Sequence, residues 1–130
     1  MNVDEKVIAR DMGACARCAR HVAHLERGRE WSIHHRRPRG AGGTSVAWVN
    51  EAANQIILCG SGTTGCHGWI ESHRAEARMA GYLVPLNGVL KADEVAIRHR
   101  TLGLVYLNDE GGWVPVEEGP TPESWGEEAA

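Results

Sequence analysis

Four cysteines constrain this chain more than anything else in it: Cys15-Ala-Arg-Cys18 near the start, then Cys59 and Cys66 after forty intervening residues. A C-x-x-C turn puts two thiolates on one side of a tight knuckle, which is half of a tetrahedral metal site. The second pair has six residues between its members, against a usual spacer of about two to four. Gly60, Gly62 and Gly65 lie among those six and flank them, and they make closure easy. A zinc site of Cys15, Cys18, Cys59 and Cys66 would fasten the N-terminal knuckle to the middle of the chain. The alternative is four buried or free thiols.

Such a fastening answers a need. At 130 residues, with no phenylalanine, the chain has material for one small aliphatic core in which the tryptophans are the large pieces. No apolar run reaches the length of a bilayer, and the start lacks an apolar signal segment. The expectation is a soluble, cytoplasmic monomer without a membrane partner. In that compartment thiols stay reduced, which favours metal ligation over disulfides. Net charge is -3, but nine of the fourteen Lys and Arg precede residue 41, whereas Glu117, Glu118, Glu123, Glu127 and Glu128 crowd the end. A basic half beside an acidic tail is compatible with polyanion binding, because the local field matters more than the sum.

Along the chain, residues 3–11 have a helical pattern on Val3, Val7 and Ile8, stopped by Gly13. Residues 31–35 and 55–58 read as strands. Residues 45–53 fit a helical turn or extended chain. Residues 67–80 read as one helix, with Ile70, Arg74, Ala77 and Ala80 at helical steps and Gly81 as its stop. Residues 82–84 look extended, 93–100 fit a short helix or a strand, and 102–116 read as a hairpin turning at 108–112. This makes one domain over residues 1–116, followed by an acidic tail, 117–130, too poor in apolar material to order itself.

The first strand runs into Ile33-His34-His35-Arg36-Arg37-Pro38-Arg39-Gly40-Ala41-Gly42-Gly43. Neighbouring side chains of a strand point to opposite faces, so the two imidazoles have different jobs unless the strand bends there. Arg36, Arg37 and Arg39 would bind phosphate, and Gly40, Gly42 and Gly43 let backbone approach a ligand closely. A solvated turn carrying two surface histidines is the plain alternative. His21 and His24 read as surface residues, Trp48 and Trp69 as core, and His99 carries no assignment.

His34-His35, then Asn54, then Cys66-His67 after Leu58-Cys59, with the flanking C-x-x-C, resemble the HNH endonuclease family in the form found in small bacteriophage proteins. The resemblance covers roughly residues 13–80. It implies an α+β protein with a ββα-metal (His-Me finger) core, a four-cysteine zinc site as in the zinc-bearing subset, and a C-terminal hairpin-like extension. It implies that His34 and His67 hold a catalytic divalent cation, that His35 is the general base, and that Asn54 braces the loop and helps hold the base. The substrate would be DNA, nicked or cut with low sequence specificity, with Mg²⁺, Mn²⁺ or Ni²⁺ as the cation. A phage terminase is the partner that this kinship suggests.

The chemistry agrees with the name. Phosphodiester cleavage needs a base, a cation and strand-positioning donors. His67 in a first helical turn meets the positive end of the dipole, which disfavours its protonation. On a helix His67 and Glu71 share a face, whereas His73 is rotated roughly 120° from His67. Glu71 could therefore complete the cation site or hold a metal-bound water, and His73 would touch phosphate or solvent. The rival from another class is a zinc module that binds DNA or protein without cutting; it leaves His34, His35 and His67 without a purpose.

Overall fold

An antiparallel pair of strands lies at the centre: β1 (Trp31–His35) and β2 (Gln55–Cys59), with Trp31 opposite Cys59 and His35 opposite Gln55. The computed structural model describes residues 1–39, 46–86 and 88–116. The glycine segment 40–43 and the acidic tail 117–130, on which expectations were placed, lie outside the described residues. All five residues of β2 are buried, as its run of Ile56, Ile57 and Leu58 requires. Helix α1 (Val3–Arg10) begins with a capping box: Glu5 N–H donates to Asn2 Oδ1 at 2.9 Å and Asn2 N–H donates to Glu5 Oε1 at 3.0 Å. The stretch open between helix and strand, 45–53, contains two short 3-10 turns, Ala47–Asn50 and Ala52–Asn54.

The helix expected over 67–80 is two helices, α2 (Gly65–Ser72) and α3 (Arg74–Met79), broken at His73. Polar side chains gather at the break. Ser72 Oγ donates to the carbonyls of Gly68 (3.1 Å) and Trp69 (3.2 Å), and His73 Nδ1 lies 3.0 Å from the Trp69 carbonyl. α2 also starts two residues before the expected point. Gly65 permits this with φ of +61°, where a Cβ would come within 2.7 Å of the Cys59 carbonyl oxygen.

Residues 82–84 form no strand. They are buried, and Val84 N–H donates to the Arg36 carbonyl at 2.8 Å. Residues 93–100 contain both alternatives, the end of a 3-10 turn (Ala92–Glu94) and β3 (Ile97–His99). β3 pairs with β4 (Gly103–Leu107), and β4 with β5 (Trp113–Pro115), as an antiparallel three-stranded sheet. The protein is thus a small α+β domain with two antiparallel sheets. Among the described residues, no helix is long and apolar enough to cross a membrane.

A buried polar cluster joins the two sheets, and no local pattern along the chain marks it. β2 pairs with β1 along one edge; along the other, Ile57 N–H donates to Asp11 Oδ2 (2.9 Å) and Ala16 N–H donates to the Ile57 carbonyl (2.8 Å). Asp11 Oδ1 also takes hydrogen bonds from Arg10 Nε and His99 Nε2, both at 2.8 Å. His99 Nδ1 accepts from Thr101 and Leu102 N–H, each at 3.2 Å, which fixes the proton on Nε2. Burial raises the Asp11 pKa, but the His99 hydrogen bond and the Arg10 charge together outweigh it and hold the carboxyl below its usual value.

Removing that carboxylate would leave Arg10 and His99 buried without their partner. Asp11→Ala should destabilise the domain by about 3–5 kcal/mol, read by denaturant unfolding. The pH dependence has a definite sign. With its folded pKa depressed, Asp11 contributes stability above the unfolded value of 3.8, and the contribution disappears as pH falls through the folded value. The variant's deficit against wild type should therefore narrow in acid.

Candidate metal centres and active site

The four cysteines converge at the open end of β2. The knuckle is held by Cys15 N–H on the Arg20 carbonyl and Ala19 N–H on the Cys15 carbonyl, both at 2.8 Å, with Ala19 in a left-handed conformation at φ of 67°. Cys59 ends β2 and Cys66 lies in the first turn of α2, so strand pairing and helix start bring the second pair together. The four sulfurs lie within 4.8 Å of one another, with Cys18 and Cys59 Sγ 3.8 Å apart. Zn–S bonds of about 2.3 Å in a tetrahedron give edges of about 3.8 Å. No two of the four are joined as a disulfide. Four cysteines this close can bind a structural metal such as zinc.

The thiols crowd one another. Hydrogen bonding with Cys66, then burial, pushes Cys15 well above the ordinary thiol value, and burial raises Cys59. A cation entering this cluster must displace protons, so its capture is steepened by rising pH. Arg17, inside the knuckle, donates to Cys66 Sγ at 3.3 Å and stacks 3.7 Å from the centre of the Trp69 ring. Trp69 in turn stacks on His73, with rings 4.7 Å apart and 8° from parallel. His73 is exposed and lies outside the second group of possible ligands.

That second group is His34, His67 and Glu71, whose donor atoms lie within 4.8 Å of one another. His34 comes from β1; His67 and Glu71 come from one face of α2, four residues apart. Their ring nitrogens are set by neighbours. His34 Nε2 lies 2.9 Å from the Tyr82 carbonyl, to which it can only donate, leaving the Nδ1 lone pair. His67 Nδ1 lies 2.8 Å from Ser32 Oγ, and that hydroxyl donates to the Gly60 carbonyl at 3.4 Å. Ser32 thus holds the His67 ring through Nδ1. Burial pushes His34 down to about 3 and lowers His67, so both rings are neutral near pH 7. Two neutral imidazoles beside a carboxylate suit a divalent cation. Glu71 is paired with Arg74 at 2.9 Å on the surface.

His35 is the last residue of β1, which runs regularly through both histidines and so sends them to opposite faces. It is half-buried. Burial and the nearby Arg39 charge lower its pKa, against an opposing hydrogen bond with the Asn50 side chain. Asn54 is fully buried and braces the turn that follows: its Oδ1 accepts from Arg37 N–H (2.8 Å), and its Nδ2 donates to the carbonyls of Arg37 (3.1 Å) and Val49 (2.8 Å).

The three arginines do not act alike. Arg39 is exposed, and Arg37 reaches across to the Leu86 carbonyl at 3.2 Å and lies over the Trp48 ring. Arg36 is fully buried, which overturns its assignment to phosphate. Its guanidinium donates to the carbonyls of Gly81, Ala53, Ala92 and Val95 at 2.7 to 2.9 Å, so its charge serves to clamp three separate backbone segments. His21 and His24 are exposed, and Trp48 and Trp69 pack partly buried against the core.

Three contributors escaped the sequence reading: Ser32, the Tyr82 carbonyl and Arg17. Only Ser32 had a readable signal, since it stands two residues before His34 and so shares its strand face. In comparisons with known proteins, the chain matches no family model, no curated protein and no solved structure.

Proposed function

We propose that the protein is a metal-dependent endonuclease of the HNH type, hydrolysing DNA phosphodiester bonds with low sequence specificity. On this reading β1, β2 and α2 are a ββα-metal core. The observation that carries the proposal is the meeting of His34, His67 and Glu71 across β1 and α2, with both imidazoles held in place by hydrogen-bonding neighbours. A resident divalent cation, Mg²⁺, Mn²⁺ or Ni²⁺, would stabilise charge on the phosphate and on the departing oxygen.

The chain's own groups do the rest. His35, neutral at pH 7, takes the proton from the attacking water. Asn54 fixes the Arg37 backbone and with it the turn that leaves His35. Arg37 and Arg39 hold phosphates of the flanking strand, giving affinity with little base reading. The setting that the sequence resemblance suggests is bacteriophage genome processing in the host cytoplasm, beside the packaging terminase, with the protein acting as a monomer.

Calorimetric titration of Mn²⁺ or Ni²⁺ into zinc-loaded protein tests the ligand set. His67→Ala should abolish binding at the second site, whereas His73→Ala should keep it and slow cleavage modestly. The ligand assignment fails if His73→Ala loses binding and His67→Ala retains it.

A further inference from the structure

A groove of about 360 Å³ runs beside the His34, His67 and Glu71 cluster, between α3 and residues 83–86. Pro38, Leu83, Val84, Pro85 and Leu86 make its apolar lining, and among the described residues its only charged lining residues are Arg74 and Arg78. We propose that this groove binds the sugar–phosphate backbone of the DNA strand running away from the cleaved bond, with Arg74 and Arg78 as phosphate contacts. The inference rests on the endonuclease reading and adds residues that it does not use.

Position and spacing both favour a polyanionic strand. Arg74 and Arg78 are exposed and four residues apart, one above the other on the same face of α3 and separated by about 6 Å along its axis. Successive phosphates of one strand have a comparable separation. Apolar walls between charged rims suit a chain whose sugars alternate with phosphates.

The groove is also continuous with the cation cluster. Arg74 pairs with Glu71 at 2.9 Å, so one guanidinium borders both. The opposite wall is tied at three points to the end of β1 and the turn that follows it. The Tyr82 carbonyl accepts from His34, Val84 N–H donates to the Arg36 carbonyl at 2.8 Å, and Arg37 donates to the Leu86 carbonyl at 3.2 Å. The buried Arg36 clamp on Gly81, Ala92 and Val95 holds that wall from behind. A strand entering the groove therefore meets a surface already formed.

The test is fluorescence anisotropy with labelled duplex DNA, over a salt series and without added divalent cation, using the zinc-loaded full chain. Arg78→Gln is the cleaner variant, because Arg74 also holds Glu71. It should bind several-fold more weakly on every sequence tried, with a salt slope lower by about one; Arg74→Gln with Arg78→Gln should lower the slope by about two. Melting temperature and zinc content should not change. A double variant with wild-type affinity and slope would overturn the proposal, and so would a wild type that binds no DNA at low salt, as expected if the groove took an acidic protein instead. Wild-type binding that depends on both arginines, in a protein that cuts nothing, would support the groove and sink the endonuclease reading.

Discussion

His35→Ala protein should cut plasmid about 10²- to 10⁴-fold more slowly than wild type, the usual worth of a general base. The expectation follows from where the ring stands. It ends β1 just before the turn braced by Asn54, and burial beside Arg39 keeps it neutral and able to accept a proton. Because it is only half-buried and lies outside both groups of possible ligands, its removal should leave zinc content, cation binding and DNA affinity nearly intact. That separation distinguishes a base from a residue that merely supports the fold. Cleavage by the variant at the wild-type rate would take His35 out of the chemistry.

Loss of the four-cysteine site should cost the fold itself. Protein purified without added metal should carry about one zinc per chain, and Cys18→Ser should lose it and unfold well below the wild-type melting temperature. Cys18 is the one exposed member of the four, so the serine disturbs ligation and leaves core packing nearly untouched. Structural zinc binding is worth about 10–16 kcal/mol in zinc-finger peptides, comparable with the whole stability of a domain, about 5–15 kcal/mol. The knuckle has few other attachments, chiefly Ala16 on Ile57 and Arg100 on Ala16 through backbone hydrogen bonds. A Cys18→Ser protein with unchanged zinc content and melting would end the zinc account.

How much of this was legible depended on distance along the chain. β1 and β2 were readable because alternation and β-branched residues are local signals, and their register brings Cys59 opposite Trp31. The cysteine convergence was readable because metal spacing is a local signal doubled. Glu71 on the His67 face followed from helical period alone. The Asp11–His99 contact, by contrast, spans 88 residues and has no periodic signature. Arg36 misled because a charge next to two other arginines looks solvated, while the carbonyls that satisfy it come from segments that only the fold assembles. The break at His73 was hidden because the helical steps of Ile70, Arg74, Ala77 and Ala80 run straight through it.

The most direct test of the central claim is conversion of supercoiled plasmid by the purified wild-type protein, with its zinc in place, with and without added Mg²⁺, Mn²⁺ or Ni²⁺. The account predicts nicked or linear product only when a divalent cation is supplied, and none from His67→Ala under the same conditions. Intact plasmid with every cation, from protein that is folded and zinc-loaded, would contradict it and leave a zinc module that binds without cutting.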